Sequence, residues 1–128
     1  MRQTTAHPPM AEEQDQAPPD IDTMRETIDL LLGPDDGPDG LPPVVDLALL
    51  TAAVRGHLEL LLPEVERLAG QLPRHKTYYA FACVSEARRE LGIEAGPELE
   101  HRVVRARRLA RALSAVCNEH ERLQGAAS

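Results

Sequence analysis

Arg102, Arg105, Arg107, Arg108 and Arg111 fall within one ten-residue stretch, the densest charge cluster in the chain. Guanidinium groups at that density are suited to phosphates. On a helix, Arg107, Arg108 and Arg111 share the face opposite Leu109 and Leu113, while Arg102 and Arg105 turn toward the apolar seam. Base recognition also needs stacking rings, or Asn and Gln at base edges, and neither is interleaved with these arginines. A solvated or ion-paired face is therefore the first expectation. Nucleic acid is the alternative, followed by an acidic protein partner.

Other chemistry is sparser. Glu98 and His101 have the i, i+3 spacing of helical carboxylate metal sites, but such a site needs a second such pair and two more inward glutamates. The seams offer apolar residues at those depths, so neither a metal nor a cofactor is expected. His57 and His120 fall on or beside apolar seams, where they could face each other, and are read as core or boundary hydrogen-bonding groups. Cys83 and Cys117 lie mid-helix in apolar surroundings that disfavour the thiolate, and no glycine-rich elbow presents Ser85 or Ser114 as a nucleophile. No catalytic residue is expected, and the chain is read as not an enzyme. Tyr78 and Tyr79, beside Arg74, His75 and Lys76, form a small candidate contact patch, because amphipathic rings next to cations suit anions and protein partners.

The elements holding these residues must be built almost without rings. Only Tyr78, Tyr79 and Phe81 are aromatic among 128 residues, against 18 leucines. That bias disfavours a sandwich or barrel and favours leucine- and alanine-faced helices. Ile21, Met24, Ile28 and Leu31 predict a helix from Asp20 or Asp22 to about Leu32. Asp and Thr supply cap oxygens at that start, Thr23 and Glu26 have capping-box spacing, and Gly33-Pro34 is the stop. Leu47, Leu50, Val54, Leu58, Leu61, Val65, Leu68 and Leu72 predict a long helix from Pro42 or Pro43 to Leu72. Its phase is kept across Pro63, which argues for a kink rather than a break.

A third helix over about 75–91 buries Thr77, Ala80, Phe81, Val84, Ala87 and Leu91. A fourth runs from about Glu98 to Leu123 on a heptad-spaced seam of Leu99, Ala106, Leu113 and His120 with Arg102, Leu109, Val116 and Leu123. The predicted fold is all-α, an antiparallel four-helix bundle with two long and two short helices. Residues 1–20 read as a disordered acidic, proline-rich leader, 21–124 as a single helical domain, and 125–128 as a fraying tail.

The net charge of −7 is concentrated in residues 1–46, which hold two Arg against eleven acids. This front-loaded acidity repels phosphate and anionic membrane, so no membrane partner is expected. The first twenty residues lack the apolar core of a secretory signal, and no run approaches the roughly 18 apolar residues of a membrane span. Two cysteines without a CxxC pair suit a reducing cytoplasm.

Leu49, Ala53, Gly56 and Leu60 mark a second apolar line on the long helix, roughly opposite its main seam. It is covered either by another helix of the bundle or by a partner chain, with Gly56 allowing close backbone approach.

The strings IDLLLGPDDGPDGLPP, VRGHLELL followed by PEVE, YYAFACVSEARREL and RARRLARALSAVCNEHERL resemble an uncharacterised family of small actinobacterial helical proteins. These form a domain of unknown function loosely labelled as natural product biosynthesis protein. The resemblance covers about residues 20–124 and implies a cytoplasmic actinobacterial protein accessory to natural product biosynthesis. It carries over no catalytic residues. The function expected is a non-enzymatic helical protein-interaction or regulatory module that self-associates through the second line of the long helix.

Overall fold

The computed structural model describes residues 18–33 and 44–127, and among them the elements are all helical. They are α1 (Ile21–Leu32), α2 (Val44–Ala69), a short 3-10 turn (Arg74–Lys76), α3 (Tyr78–Leu91) and α4 (Leu99–Ala127). The all-α bundle with two long and two short helices is therefore the observed fold. The expected helix start at Pro42 or Pro43 and most of the predicted leader lie outside the described residues.

Cross-helix pairs give the directions. Arg25 of α1 donates to Glu121 of α4 at 2.9 Å and Arg107 donates to the Leu31 carbonyl, so α1 and α4 run antiparallel. Arg88 is paired with Glu66, while Arg55 donates to the Leu91 carbonyl at 3.0 Å, which sets α3 antiparallel to α2. Glu90 with Arg105, and the Lys76 carbonyl with Arg122, set α4 antiparallel to α3. The order is up, down, up, down. The two long helices consequently run parallel and pack directly on each other, and α1 and α3 fill the grooves on either side of that spine.

Burial follows the leucine spacing closely. Leu47, Val54, Leu58, Leu61, Val65 and Leu68 of α2 are buried against Ala106, Leu109, Leu113, Val116 and Leu123 of α4. α2 runs unbroken through Pro63, with its core residues in phase on both sides. The ring removes one backbone donor and leaves the carbonyl of Glu59 without its usual partner, a loss tolerable here because Pro63 is exposed.

Five local expectations are corrected. The cap of α1 is not the Thr23–Glu26 box: Asp20 accepts from the Thr23 amide at 3.1 Å and from its hydroxyl at 2.7 Å. α2 ends at Ala69 rather than Leu72, because Gly70 and the residue preceding Pro73 both disfavour helix. A 3-10 turn precedes α3, which begins at Tyr78. Phe81, expected in the core, is 44% exposed. It lies about 90° from the centre of the face formed by Ala80, Val84, Ala87 and Leu91, whose small alanines let α3 approach too closely for a ring beside them. Finally, α4 extends to Ala127, beyond its expected end near Leu123.

The seam of α4 also starts later than its heptads suggest. Leu99 and Arg102 are exposed, and Arg102 lines a cavity between the start of α4 and α2. The buried seam begins at Arg105 and Ala106.

Candidate functional site

Among the described side chains of α2, the largest apolar exposure lies on its outer side. Leu49 is 67% and Leu60 70% exposed. They stand eleven residues apart, which at about 100° per residue returns them to within about 20° of one face. Ala53 and Gly56 lie between them on the same line, each only partly exposed. A methyl group added at Gly56 would meet nothing within 4 Å. None of α1, α3 and α4 covers these two leucines, so the intramolecular cover expected for this line is not provided by the described residues.

The aromatic patch is a second exposed surface. Tyr78 and Tyr79 are both exposed, with ring centroids 5.4 Å apart in an edge-on arrangement. Phe81 joins them, so all three aromatic residues of the chain sit outside, at and near the start of α3. Thr77 fixes that start: it is buried, and its hydroxyl donates to the Arg74 carbonyl at 3.1 Å.

The arginine cluster is divided by the fold. Arg107 is half-buried and gives its Nε to the Leu31 carbonyl at 3.3 Å, satisfying a carbonyl at the negative end of α1. Arg108 and Arg111 remain exposed. Arg105 is buried against Glu90, whereas Arg102 is exposed at the cavity mouth. These five side chains therefore serve at least three different surroundings and do not form one continuous face.

His57 and His120 do not face each other. His57 is half-buried and contacts the Thr27 hydroxyl of α1 at 3.3 Å. Desolvation holds its pKa below the ordinary histidine value, and the Asp20 carboxylate opposes that shift. His120 belongs to the other end of α2, near Glu64 and Arg67. Only 3% exposed, it has no hydrogen-bond partner among the described residues at either ring nitrogen. Burial depresses its pKa, Glu64 and Glu121 oppose, and Arg67 reinforces. The separation follows from register: residue 57 points toward α1, while the α4 seam reaches His120 two turns further along α2.

Glu98 and His101 approach to 3.8 Å on an exposed surface. Among the described residues no group of three or more His, Cys, Asp and Glu side chains is placed to hold a metal ion. Cys83 and Cys117 are free thiols whose pKa values are raised, chiefly by desolvation. No helix among the described residues is long and apolar enough to cross a membrane.

Sequence reasoning turned Arg105 toward the apolar seam, where it is buried, but missed its pairing with Glu90. It also missed Arg25, which reaches Asn118 at 3.0 Å as well as Glu121, a tertiary contact with no signature in spacing. No curated protein and no solved structure matches this chain. Residues 22–125 match the model described as "Family of unknown function (DUF6415)", and the chain belongs to that family.

Proposed function

We propose that this chain is a non-enzymatic helical interaction module that self-associates through the outer stripe of α2. The observation carrying this reading is the pair Leu49 and Leu60, both about two-thirds exposed on one face either side of Gly56. Two copies related by a two-fold axis can cross at Gly56 and bury all four leucines. At about 1.5–3 kcal/mol for each leucine, that burial contributes roughly 6–12 kcal/mol. Association costs are of the same order, so these four leucines give a weak, concentration-dependent dimer. An accessory role in actinobacterial natural product biosynthesis, in a reducing cytoplasm, accords with the resemblance of the sequence and with two free thiols.

Light scattering across salt tests the reading. Wild type should show a concentration-dependent dimer that holds or tightens as salt rises, and Leu49→Glu with Leu60→Glu should be monomeric. Wild type that stays monomeric at every salt overturns it. Nucleic-acid binding that collapses with salt would instead favour the exposed Arg108 and Arg111. Gly56→Ala gives a sharper check. It should stabilise the monomer by about 0.5–1 kcal/mol, since the methyl has room and alanine favours helix, yet weaken the dimer by holding the backbones apart.

A further inference from the structure

We propose that the cavity between the first half of α2 and the start of α4 binds a small organic anion, an acidic headgroup on a short apolar body. Its volume is about 310 Å³, and its apolar wall includes Leu47, Ala48 and Ala52. Three arginines converge on it, Arg55 from α2 and Arg102 and Arg105 from α4. A chain of net charge −7 has gathered three cations around one apolar space.

Their pairing among the described residues leaves positive charge in excess. Arg105, 8% exposed, is held by Glu90, yet its buried Nε has no partner among the described residues. Arg55 spends one nitrogen on the neutral Leu91 carbonyl at 3.0 Å. Arg102 is exposed and lies in the opening turn of α4, where the helix dipole also favours an anion. Among the described residues, Glu90 thus offsets one of three charges. Glu94 and Glu98, in the segment around Ala95, are exposed.

Like charges around a poorly solvated space raise one another's cost, and an entering anion lowers it. Guanidinium forks suit carboxylate and phosphate alike, so the headgroup is one of these two. The volume lies near the lower limit of ligand cavities, which selects a compact acid over a nucleotide or a long lipid chain. A polynucleotide is disfavoured because Arg105 is recessed. The site lies on a different side of α2 from Leu49 and Leu60 and does not depend on self-association.

Amide and arginine Nε–H resonances of the isotope-labelled full chain, titrated with hexanoate and with hexyl phosphate, test the site. One or both acids should shift Ala48, Ala52 and Arg102 saturably, and the tighter headgroup identifies the chemistry. Hexan-1-ol and inorganic phosphate alone should bind at least about tenfold more weakly, each lacking half of the ligand. Arg102→Gln changes an exposed side chain and should keep the spectrum of the fold while weakening hexanoate or hexyl phosphate about tenfold, with Arg55→Gln as a second variant. Leu49→Glu with Leu60→Glu should bind as wild type does, so failure of the dimer leaves this site standing. The proposal is overturned by the absence of saturable shifts with both acids, by hexan-1-ol binding equally well, or by both arginine variants retaining full affinity.

Discussion

His120→Leu should stabilise the protein, and by more near about pH 5.5 than near about pH 7.5. His120 occupies the same α4 seam as Ala106 and Leu113 and is buried with both ring nitrogens unpartnered among the described residues. An unmade hydrogen bond of a buried polar group costs about 1–3 kcal/mol, and leucine removes that cost while filling similar space. A net gain of about 1–2 kcal/mol is expected at neutral pH, where each kcal/mol raises Tm by about 4–8 °C in a domain of this size.

The pH dependence has a definite sign. Burial depresses the His120 pKa, so the unfolded chain binds the proton more readily than the folded one. Stability is fullest above about pH 6.5 and is lost as pH falls from there through the depressed folded value. His57 is shifted in the same direction, again chiefly by desolvation, so part of the slope will persist in the single variant. Glu64 and Glu66 act in a separate window. Hydrogen bonds from Arg67 and Arg88 lower their pKa values, so their contribution fades only below about pH 4.5. Urea unfolding followed by far-ultraviolet circular dichroism over this range is the assay. A leucine variant less stable than wild type at every pH, or one with an unchanged slope between about pH 6.5 and 5, refutes the account.

Two further substitutions probe the frame. Gly33 ends α1 at φ 71°, ψ −180°, a region almost closed to other residues, so Gly33→Ala should lower stability by about 1–3 kcal/mol, read from the urea midpoint. Arg105→Met strands Glu90 in a nearly buried position and should cost about 3–5 kcal/mol, whereas Arg105→Met with Glu90→Leu should recover most of that loss. A double variant as unstable as the single would show that the pair is not the source of the cost.

The core was legible because burial in a helix repeats every 3.6 residues and α2 keeps that phase across Pro63 for nearly its whole length. The same regularity predicted the second apolar line through Leu49 and Leu60, but that none of the described residues covers those two leucines only coordinates reveal. Periodicity failed where position around the helix was marginal. Phe81 sits at the edge of the α3 face, and small neighbouring residues decided it outward. It failed again where two helices had to be placed relative to each other. Whether His57 meets His120 or Thr27, and whether Arg102 seals a seam or lines a cavity, depends on the axial offset of α2 and α4, which neither sequence contains alone. The partner of Arg105 stayed hidden for a related reason: its charge is acceptable in the interior only because Glu90 arrives from α3.

The placement of Tyr78, Tyr79 and Phe81 outside has an optical consequence. The interior contains aliphatic and small side chains but no phenyl or phenol ring, so melting the protein will scarcely alter its tyrosine emission or near-ultraviolet dichroism. Those signals remain free to report whatever comes to rest against the beginning of α3. A change in tyrosine emission on mixing would mark contact at that end of the molecule, undisturbed by any background from loosening of the fold.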